Sequence, residues 1–143
     1  MTIKPRTIRA LRDARERLRD VAAASHATVT HAHAQATEHR EAQDDSLDEF
    51  LDGAKDVLAT ITNIHDFDRV ADTLVEHRRA VDTAAKHEAD AAAASLRSAS
   101  VLRDRTRQLK SIEALQDRIE RERTVVANKA EQQSNDELAA RRR

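Results

Sequence analysis

The fold class predicted by the sequence is all-α, a long two-helix antiparallel coiled-coil hairpin, and three observations predict it. In 143 residues there are one proline and one glycine, so very little interrupts a helix. Charged residues make up 36% and aromatic residues 1%, while much of the 39% hydrophobic content is alanine, which removes little surface from water. That is poor material for a globular core. Finally, apolar residues recur at steps of three and four along two long stretches, the spacing of a coiled-coil seam.

The first helix is expected over about residues 5–62. Pro5 stands where a helix can begin, because the amide hydrogen it lacks would have had no partner there. Its seam runs through Ile8, Leu11, Leu18, Ala22, Val29, Ala32, Ala36, Phe50, Val57, Ile61 and Ile64. A turn is expected over about residues 63–66: Thr60 to Ile64 sets β-branched residues and an asparagine where helix propensity falls, and Asp66 can cap a new helix. Asp52-Gly53 is a rival turn, the strongest local pair of breakers, and local chemistry leaves both open.

The second helix is expected over about residues 67–140. Its seam is Phe67, Val70, Leu74, Val81, Ala84, Ala91, Ala99, Leu102, Leu109, Ile112, Ile119, Val126 and Ala130. The chain then reads as a single hairpin domain over residues 1–143. With its turn near residue 65, the numbers of facing residues total about 130. Leu11 pairs with Ile119, Leu18 with Ile112, Phe50 with Val81 and Val57 with Leu74, while Ala32, Ala34 and Ala36 fall opposite Ala91 to Leu96. Helices of about 60 residues rising 1.5 Å per residue would make a rod of roughly 90 Å, with the second helix outrunning the first past Val126. The alanine-rich centre, which also holds histidines, buries least and is expected to open most easily.

Lys plus Arg at 25 nearly balance Asp plus Glu at 26, so total charge gives no polyelectrolyte signal for nucleic acid. The distribution is uneven. Lys4, Arg6, Arg9, Arg12, Arg15, Arg17 and Arg19 outweigh Asp13, Glu16 and Asp20, whereas Glu38 to Asp56 holds eight carboxylates against Arg40 and Lys55. The second helix turns basic again from Arg103 to Arg123 and in the tail Arg141 to Arg143. The hairpin therefore collects positive charge at its open end and negative charge toward its turn, which suits docking between two different partners.

Little in the sequence points to chemistry. His26, His31, His33, His39, His65, His77 and His87 contain no pair three or four residues apart, the spacing that helical metal ligands require. With no cysteine and no glycine-rich loop, neither a thiolate site nor a phosphate cradle is expected. The expectation is a protein that is not an enzyme and carries no metal or cofactor. Both basic stretches are interrupted by acids, unlike the basic region of a zipper that binds nucleic acid. No apolar run approaches the roughly 20 residues of a membrane span, so the protein is expected in the cytoplasm.

Five stretches carry a family resemblance. Near the C-terminus stand Leu115-Gln116-Asp117-Arg118, Ala130-Glu131-Gln132-Gln133 and Asn135-Asp136-Glu137-Leu138-Ala139-Ala140-Arg141. Asp45-Ser46-Leu47-Asp48-Glu49-Phe50 lies in the first helix, and Phe67 to Arg78, ending Glu76-His77-Arg78, follows the turn. These resemble the FliJ family and its injectisome counterparts, the SctO family. Those proteins carry L-x-x-R and E-Q-x-x-x-D-E-x-A-x-R stretches in a charged terminal helix and a Y-x-x-E-Y pattern in the first. Here Ser46 replaces the first tyrosine and Phe50 the second, and the stretch after the turn is one residue out of step.

The resemblance implies a stalk in the central hole of a hexameric type III export ATPase. The open end, here Leu11, Arg15, Leu18, Ile119, Arg123 and Val126, would enter the ring. Mid-hairpin residues, here Gln43, Ser46, Phe50, Leu74 and His77, would meet the cytoplasmic domain of the export gate. It further implies handling of export chaperones, with the protein peripheral to the apparatus at the inner membrane. Whether the system is flagellar or injectisome stays open at this point. Phe50 is either an anchor for the gate or the closure of the seam against Val81, and the two are compatible. A coiled-coil adaptor or dimerisation module, forming a bundle between chains, is the alternative of a different class. A helical phage or envelope-associated scaffold is a third.

Overall fold

The computed structural model describes residues 4–141. Two helices, α1 (Pro5–Thr60) and α2 (Ile64–Arg141), pack against each other as an antiparallel coiled-coil hairpin, and no strand occurs among the described residues. The carbonyl of Lys4 accepts from the amides of Thr7 and Ile8 at 3.0 and 3.4 Å, so α1 begins with Pro5 in its first turn.

The helices are joined by Ile61, Thr62 and Asn63. Asn63 rather than Asp66 caps α2: its Oδ1 accepts from the His65 amide at 2.8 Å and its carbonyl from the Phe67 amide at 3.3 Å. The turn thus starts two residues ahead of the expected 63–66, and Asp66 lies in the first turn of α2 paired with Arg69 at 2.6 Å. A carboxylate there also suits the positive end of the helix dipole. Gly53, the rival breaker, is helical within α1 with a negative φ, flanked by an Asp52–Lys55 pair at 3.4 Å.

Cross-helix ties fix the register. Arg15 donates to Gln108 at 2.6 Å, His26 and Ser98 are bonded at 2.7 Å, Arg40 meets Glu88 at 2.5 Å, and the Phe50 ring stacks on His77 with centroids 4.8 Å apart. Their paired numbers total between 123, for Arg15 with Gln108, and 128, for Arg40 with Glu88, instead of the expected 130. The earlier turn shifts the facing partners toward lower numbers, so Phe50 meets His77 one helical turn before the expected Val81.

The chain forms two compact units, one of residues up to Ala22 with those from Leu102 onward, the other Ala23–Val101. In the first, Ile8, Ala22 and Leu109 are buried. The covered positions of α1 step by four and three through Ile8, Arg12, Arg15, Arg19 and Ala22. Leu11 and Leu18, expected in the seam, are instead 41% and 42% exposed. Each precedes a covered arginine by one residue, which is about 100° round the helix. The covered positions of α2 include Leu102, Arg105, Leu109, Ile112, Gln116 and Ile119, and every described residue from Glu120 to Arg141 is exposed.

In the second unit the covered line of α1 continues at the same steps through His26, Val29, His33, Ala36, Arg40, Gln43, Leu47, Phe50 and Ala54. Its buried residues are Ala36, Ala54 and Ala84, so backbones rather than bulky groups make the close contact. Val57, Ile64 and Phe67, expected in the seam, are exposed. Of the expected alanine-to-alanine stretch, Ala36 is buried while Ala32, Ala34 and Leu96 face solvent.

Candidate protein-docking surfaces

A helix of this length can expose only what its register leaves outside, so the candidate surfaces follow from the seam. In the first unit, Leu11, Arg15 and Leu18 follow one another at four and three residues and form a stripe of α1. Leu11 and Leu18 are outward, and Arg15 is half-buried against Gln108. Ile119 and Arg123 line a shallow cleft with Pro5, Ile8, Arg9 and Gln116. Val126 lies beyond the cleft and is 67% exposed. The six residues expected to meet a ring are thus two outward leucines, one tied arginine, two cleft residues and one free valine.

The second unit carries two grooves. His39, Gln43, Glu76, Arg79 and His87 line one. Phe50 and Leu74 line the other with Asp48, Leu51, Asp52, Leu58 and Val70. Of the five residues expected to meet the gate, Phe50, Leu74 and His77 are brought together, Ser46 is half-buried, and Gln43 belongs to the other groove. Phe50 is half-covered by the His77 ring at an interplanar angle of 25°, so one face packs while the side chain still lines a groove.

From Asp44 to Arg78 there are ten carboxylates against Lys55, Arg69 and Arg78, so the groove at Phe50 lies in negative potential. Among the described residues the one displaced ionisation is that of Arg40, held above the usual arginine value by its hydrogen bond to Glu88 and the charge of that carboxylate, with Asp44 assisting at 2.6 Å. The expectations from sequence passed over Leu51, Leu58, His39 and His87 as lining residues. For Leu51 and Leu58 the signal is the spacing of four and three that links them to Leu47 and Ala54 of the covered line; His39 and His87 carry no such signal.

Paired long helices that hold polar side chains in their seam and turn apolar ones outward define a coiled-coil hairpin built to present surfaces. No helix among the described residues is long and apolar enough to cross a membrane. The family described as the flagellar FliJ protein matches residues 5–143, and the chain belongs to that family. It is accordingly a flagellar protein-export component in the general stalk role of a non-catalytic family. No curated protein and no solved structure matches the chain.

Proposed function

We propose that this chain is the non-enzymatic stalk and coupling factor of a flagellar type III export ATPase, working in the cytoplasm beside the export apparatus at the inner membrane. The observation that carries the reading is the family match over residues 5–143, which takes in both helices and their turn. Leu11, Arg15, Leu18, Ile119, Arg123 and Val126 are the proposed contacts to the hexameric ring. Gln43, Ser46, Phe50, Leu74 and His77 are those to the cytoplasmic domain of the export gate, and export chaperones are a third set of partners. Outward leucines beside arginines support the first set, since apolar anchors and charged groups together give both affinity and register. The test is to mix the full chain with its cognate ATPase and follow ATP hydrolysis and ring assembly. Stimulated hydrolysis and more rings are expected; no binding and no change in either would end the reading.

The outward pair Leu11 and Leu18, seven residues apart, favours a second reading, a bundle formed between chains. Sedimentation of the isolated protein separates the two. A monomer supports the stalk, and a tight parallel dimer supports the adaptor.

A further inference from the structure

Seam arginines are treated differently in the two units. In the second, Arg40 has Glu88 at 2.5 Å across the helices and Asp44 at 2.6 Å along its own. In the first, Arg12, Arg15 and Arg19 on α1 and Arg105 on α2 all occupy covered positions, and no described carboxylate reaches across the seam to any of them. Arg12 and Arg19 lean on Glu16 and Asp20 of their own helix, and the Arg12 Nε is buried without a partner. Arg15 and Arg105 have no described carboxylate at ion-pair distance. They converge on a single neutral oxygen, Gln108 Oε1, which accepts from Arg15 Nη1 at 2.6 Å and from Arg105 Nη1 at 3.3 Å.

Two guanidinium groups sharing one amide oxygen repel each other, and the dipole of an amide offsets that repulsion only in part. Their nitrogens can be no farther apart than those two bonds laid end to end. That span is within what one carboxylate bridges when each oxygen sits about 2.7–2.9 Å from a donor. We propose that Arg15 and Arg105 form a receptor for a carboxylate of a protein partner, which replaces Gln108 as their common acceptor. The occupant is a protein side chain because Leu11 and Leu18 flank Arg15 on the same helix and offer apolar contact on either side of the charge. A nucleic acid would want aromatic side chains for stacking and an uninterrupted basic face, whereas this stretch is broken by Asp13, Glu16 and Asp20. The inference rests on the stalk reading for the identity of the partner, the ATPase ring, but not for the chemistry of the site.

The test uses the full chain and an R15Q/R105Q double variant, with two readouts. In the first, melting temperature is compared between millimolar sulfate and chloride at equal ionic strength, sulfate standing in for the carboxylate as a compact oxyanion. The wild type is expected to gain melting temperature in sulfate and the variant to lose that gain; in chloride the variant should melt higher, since the uncompensated repulsion is gone. Equal sulfate shifts in both proteins, or a variant that melts lower in chloride, would overturn the receptor. In the second, binding to the cognate ATPase is measured, with a loss of roughly tenfold or more expected for the variant and a weaker salt dependence. Unchanged ring binding by the variant overturns the assignment of partner. A wild type that fails to bind the ring defeats the stalk reading instead, and a sulfate gain specific to the wild type then still upholds the receptor.

Discussion

Arg40 occupies a position that a coiled-coil seam ordinarily fills with an apolar group. It is tolerated because its guanidinium fork meets Glu88 across the helices and Asp44 along its own, so its donors are spent on carboxylates. Removing one member strands the other, whereas replacing both by apolar groups restores a conventional layer. Arg40→Met alone is therefore expected to lower the melting temperature, and Arg40→Met with Glu88→Leu to recover most of the loss, read by circular dichroism as a double-mutant cycle. The arginine itself adds no pH dependence near neutrality. Its ionisation is raised in the folded state, so its contribution is complete below the ordinary arginine value and is lost only as pH climbs past the raised one. Phe50 makes a parallel case, with one ring face stacked on His77 and an edge lining a groove. Phe50→Ala is expected to cost about 1–2 kcal/mol in urea unfolding, below the range for fully buried phenylalanine because the ring is half-covered. Helix content in the absence of denaturant should stay unchanged, and under the proposed function gate binding should fall. An unaltered gate affinity would reduce Phe50 to a seam residue.

The connection between α1 and α2 is short because one residue caps the second helix and nothing else competes. Asn63 supplies both a side-chain and a main-chain acceptor to the first turn of α2. Asn63→Ala is expected to cost about 1 kcal/mol, measured by the shift of the urea midpoint, while Asp66→Ala should cost less because Asp66 is a surface partner of Arg69 and not the cap. Gly53 gives the opposite sign. It is helical, and a methyl group added there would meet nothing within 4 Å. Gly53→Ala should therefore stabilise the chain by about 0.5–1 kcal/mol through helix propensity alone. A loss of stability would show that α1 needs a flexible point there. At this scale the sequence was informative: β-branched residues ending in an asparagine marked the turn, and the Asp-Gly pair stayed only a rival because breakers are tolerated inside a long packed helix.

Across the molecule, protection follows packing and not helix propensity. Residues from Glu120 to Arg141 are helical and every one is exposed, while the opposing stretches of α1 and α2 cover each other along their seam. Hydrogen exchange on the full chain is expected to be fast for amides between Thr124 and Arg141 and slowest around the buried positions Ala36, Ala84 and Leu109, which reverses the expectation from composition that the alanine-rich centre at Ala36 opens first. Uniform protection along α2 would reveal a partner on the terminal stretch, such as a second copy. Arg142 and Arg143, the end of the basic tail read from the sequence, lie outside the described residues.

The sequence by itself determined that this protein is helical, that it folds back once in its sixties and that its charge is unevenly laid out. Those properties depend on breakers, local propensity and the repeat of apolar residues, all of which act within a few turns. Only the tertiary structure decided that α1 covers Arg12 and Arg19 in place of Leu11 and Leu18, whereas the positions expected in the seam of α2 from Val70 to Ile119 are covered as read from the sequence. Ala22 and Ala36 belong to both the expected and the covered line of α1; the departure lies at Leu11 and Leu18, each one residue before a covered arginine, and at Val57, which is exposed. In this register small side chains let the backbones come near at Ala22, Ala36 and Ala54, and half-covered arginines take seam positions that a pattern read for bulk gives to the leucines beside them. The same register brought Arg15 and Arg105 to one oxygen, a juxtaposition of distant positions that no local pattern encodes.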